Sequence, residues 1–382
     1  MIKQVILIGG HIQALGLARQ AAAIGINVVL FIEDAYSVAR FSRAVAKTIV
    51  FKKVDNLITM LVPYQNTDTV LFPTADVYVE FLSKNEKKLC EHFQLGIPDQ
   101  RSIEIFSNKR NAYNYIEQIG VPQPLSWLPN SIEDIKNIAN NLNYPIVIKP
   151  AIMHGFHKMF SKKAFRCNTK KILIERCRNI SAQFPIKGLL LQEFISGGPK
   201  DLYSYGVFAV EGKPKAWIIA NRIRQNPMDF GNSTTFAITC EIPEIEQSAK
   251  KILSAINYTG LAEIEFMFDE KTRKYKFLEI NTRAWKWHSI SMALGFGFLS
   301  EWLNYLNNED SEFIHSKNTV AWCERLTDFA VIAKEKIHGR ISIGKVISLY
   351  KIRKQNAVWS IKDPLPAIMY LLLSPLLFIK RH

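Results

Sequence analysis

The sequence predicts an α/β fold, and three observations carry that prediction. A short apolar run, Val5–Ile8, leads into Gly9-Gly10, an Ala-rich segment from Ile12 to Ile24 and a second apolar run, Val28–Ile32, with Gly25 closing the helical segment between the strands. A β-branched run, Tyr144–Ile148, stops at Lys149-Pro150. Two alternating apolar runs, Leu261–Phe268 and Tyr275–Ile280, flank a charged turn and read as a β-hairpin. At 382 residues and 48% hydrophobic content the chain has room for two or three domains and a sizeable core.

Lys and Arg outnumber Asp and Glu by 49 to 34, a formal charge of +15. Such an excess suits anionic partners: nucleotides, acidic substrates, an anionic membrane face or nucleic acid. No zinc-finger spacing and no RNA-binding aromatic motif occurs, which argues against nucleic acid. The five cysteines, at 90, 167, 177, 240 and 323, form no CxxC pair and are odd in number, as expected in a reduced cytoplasm. The apolar run at the N-terminus is too short for a secretory signal, so export is not expected.

In the N-terminal third, Gly9-Gly10 with Gly16 beyond is a poor match to the G-x-G-x-x-G of a dinucleotide site, although Glu33-Asp34 does end the second strand. Val70–Pro73 reads as a buried strand, with a helix from Thr74-Ala75-Asp76 through Leu82. Arg40 and Arg43 lie one turn apart, placed either to meet a substrate carboxylate or to form a solvated helix face.

Farther on, Ser107-Asn108-Lys109 caps a helix that Gly120 ends. Lys149, at the end of its apolar strand, is an odd core residue, because burying an ammonium without an anion is costly; a phosphate would satisfy it. The following loop, 151–163, holds His154, Gly155, His157, Lys158, Lys162 and Lys163, and its histidines have no acidic partner set for zinc. Leu189–Ile195 is a buried strand ending in the turn Ser196-Gly197-Gly198-Pro199. Leu202–Val210 and Lys215–Ala220 are joined by Glu211-Gly212-Lys213-Pro214, and alternation then puts Arg222 and Arg224 on one face, as an oxyanion clamp or a solvated basic strand.

The hairpin carries the sharpest pattern. Side chains on a strand repeat every two residues, so Glu279 and Asn281 share a face, as do Glu263, Glu265 and Met267 on the partner strand. The sequence does not set the register. Like charges opposed on a sheet destabilise it, so the arrangement is either a solvated acidic face or a site for Mg²⁺, which takes one or two carboxylates and leaves its other positions to phosphate and water. Trp285 and Trp287 read as packing residues. After a polar stretch at 307–316, Leu365–Ile379 runs fifteen residues without a charge, shorter than a spanning helix and interrupted by Pro366 and Pro375. Two readings stay open for it: lying in an anionic leaflet, or packing on its own domain or a second subunit.

The string Glu279-Ile280-Asn281-Thr282-Arg283, behind a strand carrying Ile264-Glu265-Phe266-Met267, resembles the metal-binding end of the ATP-grasp superfamily. The stretches Asp34–Arg43 and Phe72–Asp76 look like the D-aspartate-ligase-like branch, also called predicted ATP-dependent carboligases. The resemblance spans roughly residues 1–300. It implies an ATP-grasp fold with a Rossmann-like pre-ATP-grasp domain at 1–106, an ATP-grasp domain at 107–306 hinged near 189–198, and a helical basic C-terminal extension at 307–382 with its apolar tail at 365–379.

By the same resemblance Glu265, Glu279 and Asn281 hold Mg²⁺ or Mn²⁺, and Lys109 and Lys149 grip the ATP phosphates beneath a flap at 151–163. The backbone through Glu193, Phe194 and Ile195 pairs with adenine, with Gln192 close by and Asp201 at the ribose. Arg283, Arg222 and Arg224 face the phosphoryl group or acyl-phosphate. The implied activity is a carboxylate–amine ligase working through an acyl-phosphate, on a small or precursor-linked carboxylate of the cell envelope or a polysaccharide, in the cytoplasm or at the inner membrane face, as a homodimer in one arrangement. Carboxylase or carbamoyl-phosphate chemistry and a non-catalytic, membrane-tethered ATP-binding protein remain as alternatives.

Overall fold

Three sheets organise the chain. The first is five-stranded and wholly parallel, in the spatial order Lys47–Val50, Asn27–Ile32, Gln4–Ile8, Thr69–Pro73, Gln94–Leu95. Parallel sheets are covered on both faces, which is why their strands read as unbroken apolar runs. Leu7 and Leu30 look into one cluster with Leu15, Ala18 and Trp287; Ile6 and Phe31 look into another with Leu57, Leu61 and Leu82. Strand order reverses between Gln4–Ile8 and Thr69–Pro73, and ligands of such sheets bind at the strand ends beside that reversal. Gly9 stands there with φ +105°, and a Cβ on it would fall 2.1 Å from Thr74 Oγ1, so only glycine fits.

The second sheet is antiparallel and four-stranded, ordered Ser126–Trp127, Leu189–Glu193, Ile146–Pro150, Phe165–Cys167. It packs on helices Ile132–Ala139 and Lys170–Ser181, which Ser131 and Thr169 cap by accepting from the Asp134 and Ile172 amides. The third sheet has seven strands, ordered Lys274–Asn281, Gly260–Asp269, Leu202–Val210, Lys213–Asn226, Ser233–Thr239, Ala321–Cys323, Lys354–Asn356. Helices Lys109–Gln118 and Pro243–Ala255 contribute to the apolar cluster on one of its faces.

The segment after residue 307 thus does more than add helices. Besides Arg325–Ile337, Ile343–Tyr350 and Leu365–Arg381, it gives the third sheet its last two strands. It is also bolted to the segments around the first sheet: Asp363 accepts from Arg19 Nε at 3.0 Å, Ser42 Oγ at 2.6 Å and the Arg43 amide at 3.1 Å. The inner face of the tail helix, Ala367 and Tyr370, joins the main core, so this face packs on the chain itself. No helix among the described residues is long and apolar enough to cross a membrane.

The computed structural model describes every residue except 153–155, 161, 163, 229–230, 232, 310–312 and 382, and does not describe the side chains of 157, 158 and 376–381. His154, Gly155 and Lys163 of the expected flap, and the side chains of His157 and Lys158, therefore lie outside the described residues.

Candidate active site

The hairpin register is the first fact of the site. Glu265 lies directly opposite Glu279, and Glu263 opposite Asn281, so the acidic faces of the two strands meet. Two cations hold this pair of carboxylates. Arg222 Nη1 reaches Glu265 Oε2 at 2.6 Å from the Lys213–Asn226 strand, and Lys109, at the start of its Asn108-capped helix, is ion-paired with Glu279. Asn281 Nδ2 donates to Glu263 Oε2 at 3.1 Å and Glu265 Oε1 at 3.4 Å. Glu263 is fixed in turn by Trp287 Nε1 at 2.8 Å, so this tryptophan packs and also orients a carboxylate.

The charges bias one another. Lys109 holds the Glu279 carboxyl down to about 2, whereas burial pushes Glu265 up to about 7 despite Arg222, with Glu263 and Glu279 adding to the rise. Burial works against the charge on Lys109, but Glu279, with Tyr113 and Glu265, more than offsets it and raises that lysine. Lys149 shows the opposite balance. Its Nζ donates to Gln192 Oε1 at 2.7 Å, and burial together with the nearby Lys109 charge pushes it down to about 8. Gln192 is oriented by its own Nε2, which donates to Ser126 Oγ at 2.9 Å.

Lys149, with no ion-pair partner among the described residues, and Lys109, already paired with Glu279, therefore stand beside Glu265, Glu279 and Asn281, a set rich in hard oxygen donors. That donor set fits a magnesium–nucleotide: the lysines would hold phosphate, and the two carboxylates with the amide would hold a divalent cation that neutralises phosphate charge. No group of three or more His, Cys, Asp or Glu among the described residues could hold a metal, so the oxygen set here is two carboxylates and an amide.

The other expected residues fall as follows. Glu193 ends its strand firmly held: its amide donates to Leu125 O at 2.8 Å, and its carboxylate accepts from Leu125 N at 3.1 Å and Lys276 Nζ at 2.8 Å. The Arg166 guanidinium lies 4.2 Å from the Phe194 ring centroid, and Ile195 is buried. Asp201 closes a short turn by accepting from the Gly198 amide at 3.0 Å. Arg283 makes a two-pronged ion pair with Asp76, Nε to Oδ1 at 2.7 Å and Nη2 to Oδ2 at 3.0 Å. Asp76 opens the helix beyond the Thr69–Pro73 strand, so Arg283 joins the acidic hairpin to the strand-end crevice of the first domain.

Arg224 corrects the alternation argument. It is bound through Nε and Nη2 to the buried Asp328 at 2.8 and 2.7 Å and lies over the Phe236 ring, committed to helix Arg325–Ile337 and not paired with the hairpin as Arg222 is. The reason is a bulge: Asn221 pairs with Ile238 but Arg224 with Phe236, one residue too many for strict alternation. Arg40 is also spent locally, donating to Ala35 O at 2.8 Å.

Sequence reasoning missed Lys276 and Asp76. Lys276 is buried in the hairpin between Glu193 and Asp269, at 2.8 and 2.9 Å, and stitches the end of strand Leu189–Glu193 to the hairpin. A lysine midway along an alternating apolar strand was the available signal. For Asp76 there was none, since its partner lies 207 residues away.

Residues 108–303, just over half of the chain, match the family described as carbamoyl-phosphate synthase L chain, ATP binding domain. The chain is 26% identical to urea amidolyase of Lachancea kluyveri over 63% of its own length but only 13% of that protein's. It is 22% identical to D-aspartate ligase of Enterococcus faecium over 73% of its own length and 70% of that protein's. Among solved structures it is similar to the biotin carboxylase domain of 2-oxoglutarate carboxylase from Hydrogenobacter thermophilus, a domain dimer in complex with MgADP, ADP and bicarbonate. The TM-score is 0.66 at 17% identity, covering 83% of this chain and 72% of that one. The chain belongs to the carbamoyl-phosphate synthase L chain ATP-binding family and has the ATP-grasp fold.

Proposed function

We propose that the protein is an ATP-dependent carboxylate–amine ligase. The observation that carries this reading is the half-buried Lys149 ammonium, hydrogen-bonded to an amide oxygen and without an ion-pair partner among the described residues, beside a Glu265–Glu279 pair that cations already neutralise. Such a site is built to receive phosphate and a divalent cation together. The similarity to D-aspartate ligase over most of both chains supports amide formation as the outcome.

In this reading Lys109 and Lys149 bind the ATP phosphates, and Glu265, Glu279 and Asn281 hold Mg²⁺ or Mn²⁺. The metal ion, when bound, supplies neutralisation of charge on the transferred phosphoryl group. The substrate carboxylate oxygen attacks the terminal phosphorus and ADP leaves. The amine nitrogen then attacks the acyl carbon and inorganic phosphate departs. Arg283 and Arg222 stabilise the charge in both steps, which are matters of positioning and electrostatics and need no covalent enzyme nucleophile. The hinge backbone from Glu193 to Ile195 takes the adenine, with Phe194 and Asp201 at its margin.

The proposed layout is a substrate-binding domain at 1–106, a nucleotide domain at 107–306 and an extension at 307–382. The carboxylate is proposed to be a cell-envelope or polysaccharide precursor handled in the cytoplasm, with a homodimer as the working assembly. A second reading, carboxylase or carbamoyl chemistry, is favoured by the bicarbonate in the related biotin carboxylase structure and by the family's own description.

The deciding experiment is Mg²⁺-dependent ADP release by wild type and Glu279→Ala, with pools of amino acids and of uronic or peptidoglycan-precursor carboxylates. Release that needs one acid and one amine together, and disappears in the variant, is the expected result. Release that needs bicarbonate transfers the protein to the second reading. Nucleotide binding without turnover in any pool overturns both and leaves a binding protein.

A further inference from the structure

We propose that the outer face of the tail helix, Leu365–Arg381, docks on an anionic phospholipid leaflet. A helix that is apolar all round needs cover on every side. Among its described residues, 365–375, this one is covered on one side only. Ala367 and Tyr370 are buried against the body of the protein, whereas Leu365, Ile368 and Leu372, spaced three and four residues apart, form an exposed stripe with Leu371 beside it. Leu371 and Leu372 are 60% and 67% exposed, and just upstream Trp359 and Ile361 are 44% and 86% exposed. An indole and aliphatic chains beside exposed lysine match the belt where membrane-surface helices meet lipid headgroups.

Charge names the partner. From 325 to 382 there are eleven Lys and Arg against three acidic residues. Every one of the three acids is buried and taken: Asp328 by Arg224, Glu335 by Arg340 and Asp363 by Arg19. The exposed charge of this segment is therefore positive, with Lys362 one turn before the helix. Exposed Arg40 and Arg43 add to it from the Val38–Phe41 turn and its continuation, the turn itself packing against the tail helix. A second copy of the chain docked face to face would bring like charges together, which is costly, whereas lipid phosphates complement them. The proposal does not depend on the ligase reading, because its test reads binding to vesicles without nucleotide.

The experiment is co-sedimentation of the full chain with vesicles of phosphatidylglycerol and phosphatidylcholine, against phosphatidylcholine alone, across a salt titration. Binding to the anionic vesicles only, weakening with salt, is expected. Ile368→Glu and Leu372→Glu each reduce partitioning about tenfold, and Lys362→Glu reduces it roughly tenfold or more by reversing a charge. Thermal melting shows whether these exposed substitutions leave the fold intact. If the apolar variants melt early, Lys362→Glu and the wild-type salt titration carry the test. Equal binding to both vesicles, or binding to neither, overturns the proposal. So does a dimer that these substitutions dissociate in the absence of vesicle binding, which would make the face a contact between copies.

Discussion

Lys149 donates to the side-chain oxygen of Gln192 at 2.7 Å and has no ion-pair partner among the described residues. Its neighbour Lys109 has claimed the nearer carboxylate, Glu279. One lysine is thus satisfied before any ligand arrives, and the other holds its proton less tightly than usual, a loss that phosphate would reverse.

The pH dependence of ATP binding follows from that difference. Phosphate binds the ammonium form, and in the free protein Lys149 is pushed down to about 8. Protons are therefore taken up when ATP binds above that value, and affinity falls about tenfold per pH unit beyond it, until the complex itself deprotonates. Calorimetry in buffers of different ionisation enthalpy checks the uptake. Lys149→Arg, whose charge does not titrate in this range, removes the pH dependence.

Glu279→Gln keeps the shape of the acidic hairpin and removes the charge on which Lys109 rests. ADP release is expected to fall by about 10²–10³-fold, with the Mg²⁺ needed for half-maximal activity moving upward. A metal titration at saturating ATP separates this from a general loss of folding.

Two arginines two residues apart are expected to fail differently. Arg224→Met strands the fully buried Asp328 and costs about 3–5 kcal/mol of stability. Arg222→Met instead removes a contact of Glu265 and lowers turnover. Denaturant unfolding beside ADP release at low temperature discriminates them: the first variant is unstable but active per folded molecule, and the second loses activity.

Asp76→Asn weakens the two-pronged hold on Arg283 at the crevice of the first domain. The KM for the carboxylate is expected to rise about tenfold while the KM for ATP stays put. A matching rise in both would place Asp76 in the nucleotide site.

The parts of this arrangement legible in the sequence were those set by local periodicity. Alternation put Glu265 on one face of its strand and Glu279 with Asn281 on one face of theirs, and a lysine ending a β-branched run announced Lys149. What escaped was set by distance or by irregularity. The bulge before Arg224 breaks the two-residue repeat, and no residue type near it signals the break. Ala321–Cys323 and Lys354–Asn356 are three residues each, too short to show a period, so two strands of the third sheet were unreadable. The ties of Arg283 to Asp76 and of Lys276 to Glu193 exist only once stretches 207 and 83 residues apart in sequence are brought together.

Those two late strands also set an order of events during synthesis. Ser233–Thr239 finds its outer neighbour only in Ala321–Cys323, and that strand finds its own only in Lys354–Asn356. Lys286 waits likewise for Glu324, and Arg224 for Asp328. A nascent chain that has released everything up to the acidic hairpin still carries an open sheet edge and two buried-to-be cations without counterions. The third sheet therefore cannot be completed on the ribosome before the strands at 321–323 and 354–356 emerge. A transcript cut short of the final strands yields a sticky, chaperone-dependent product and not a smaller working enzyme.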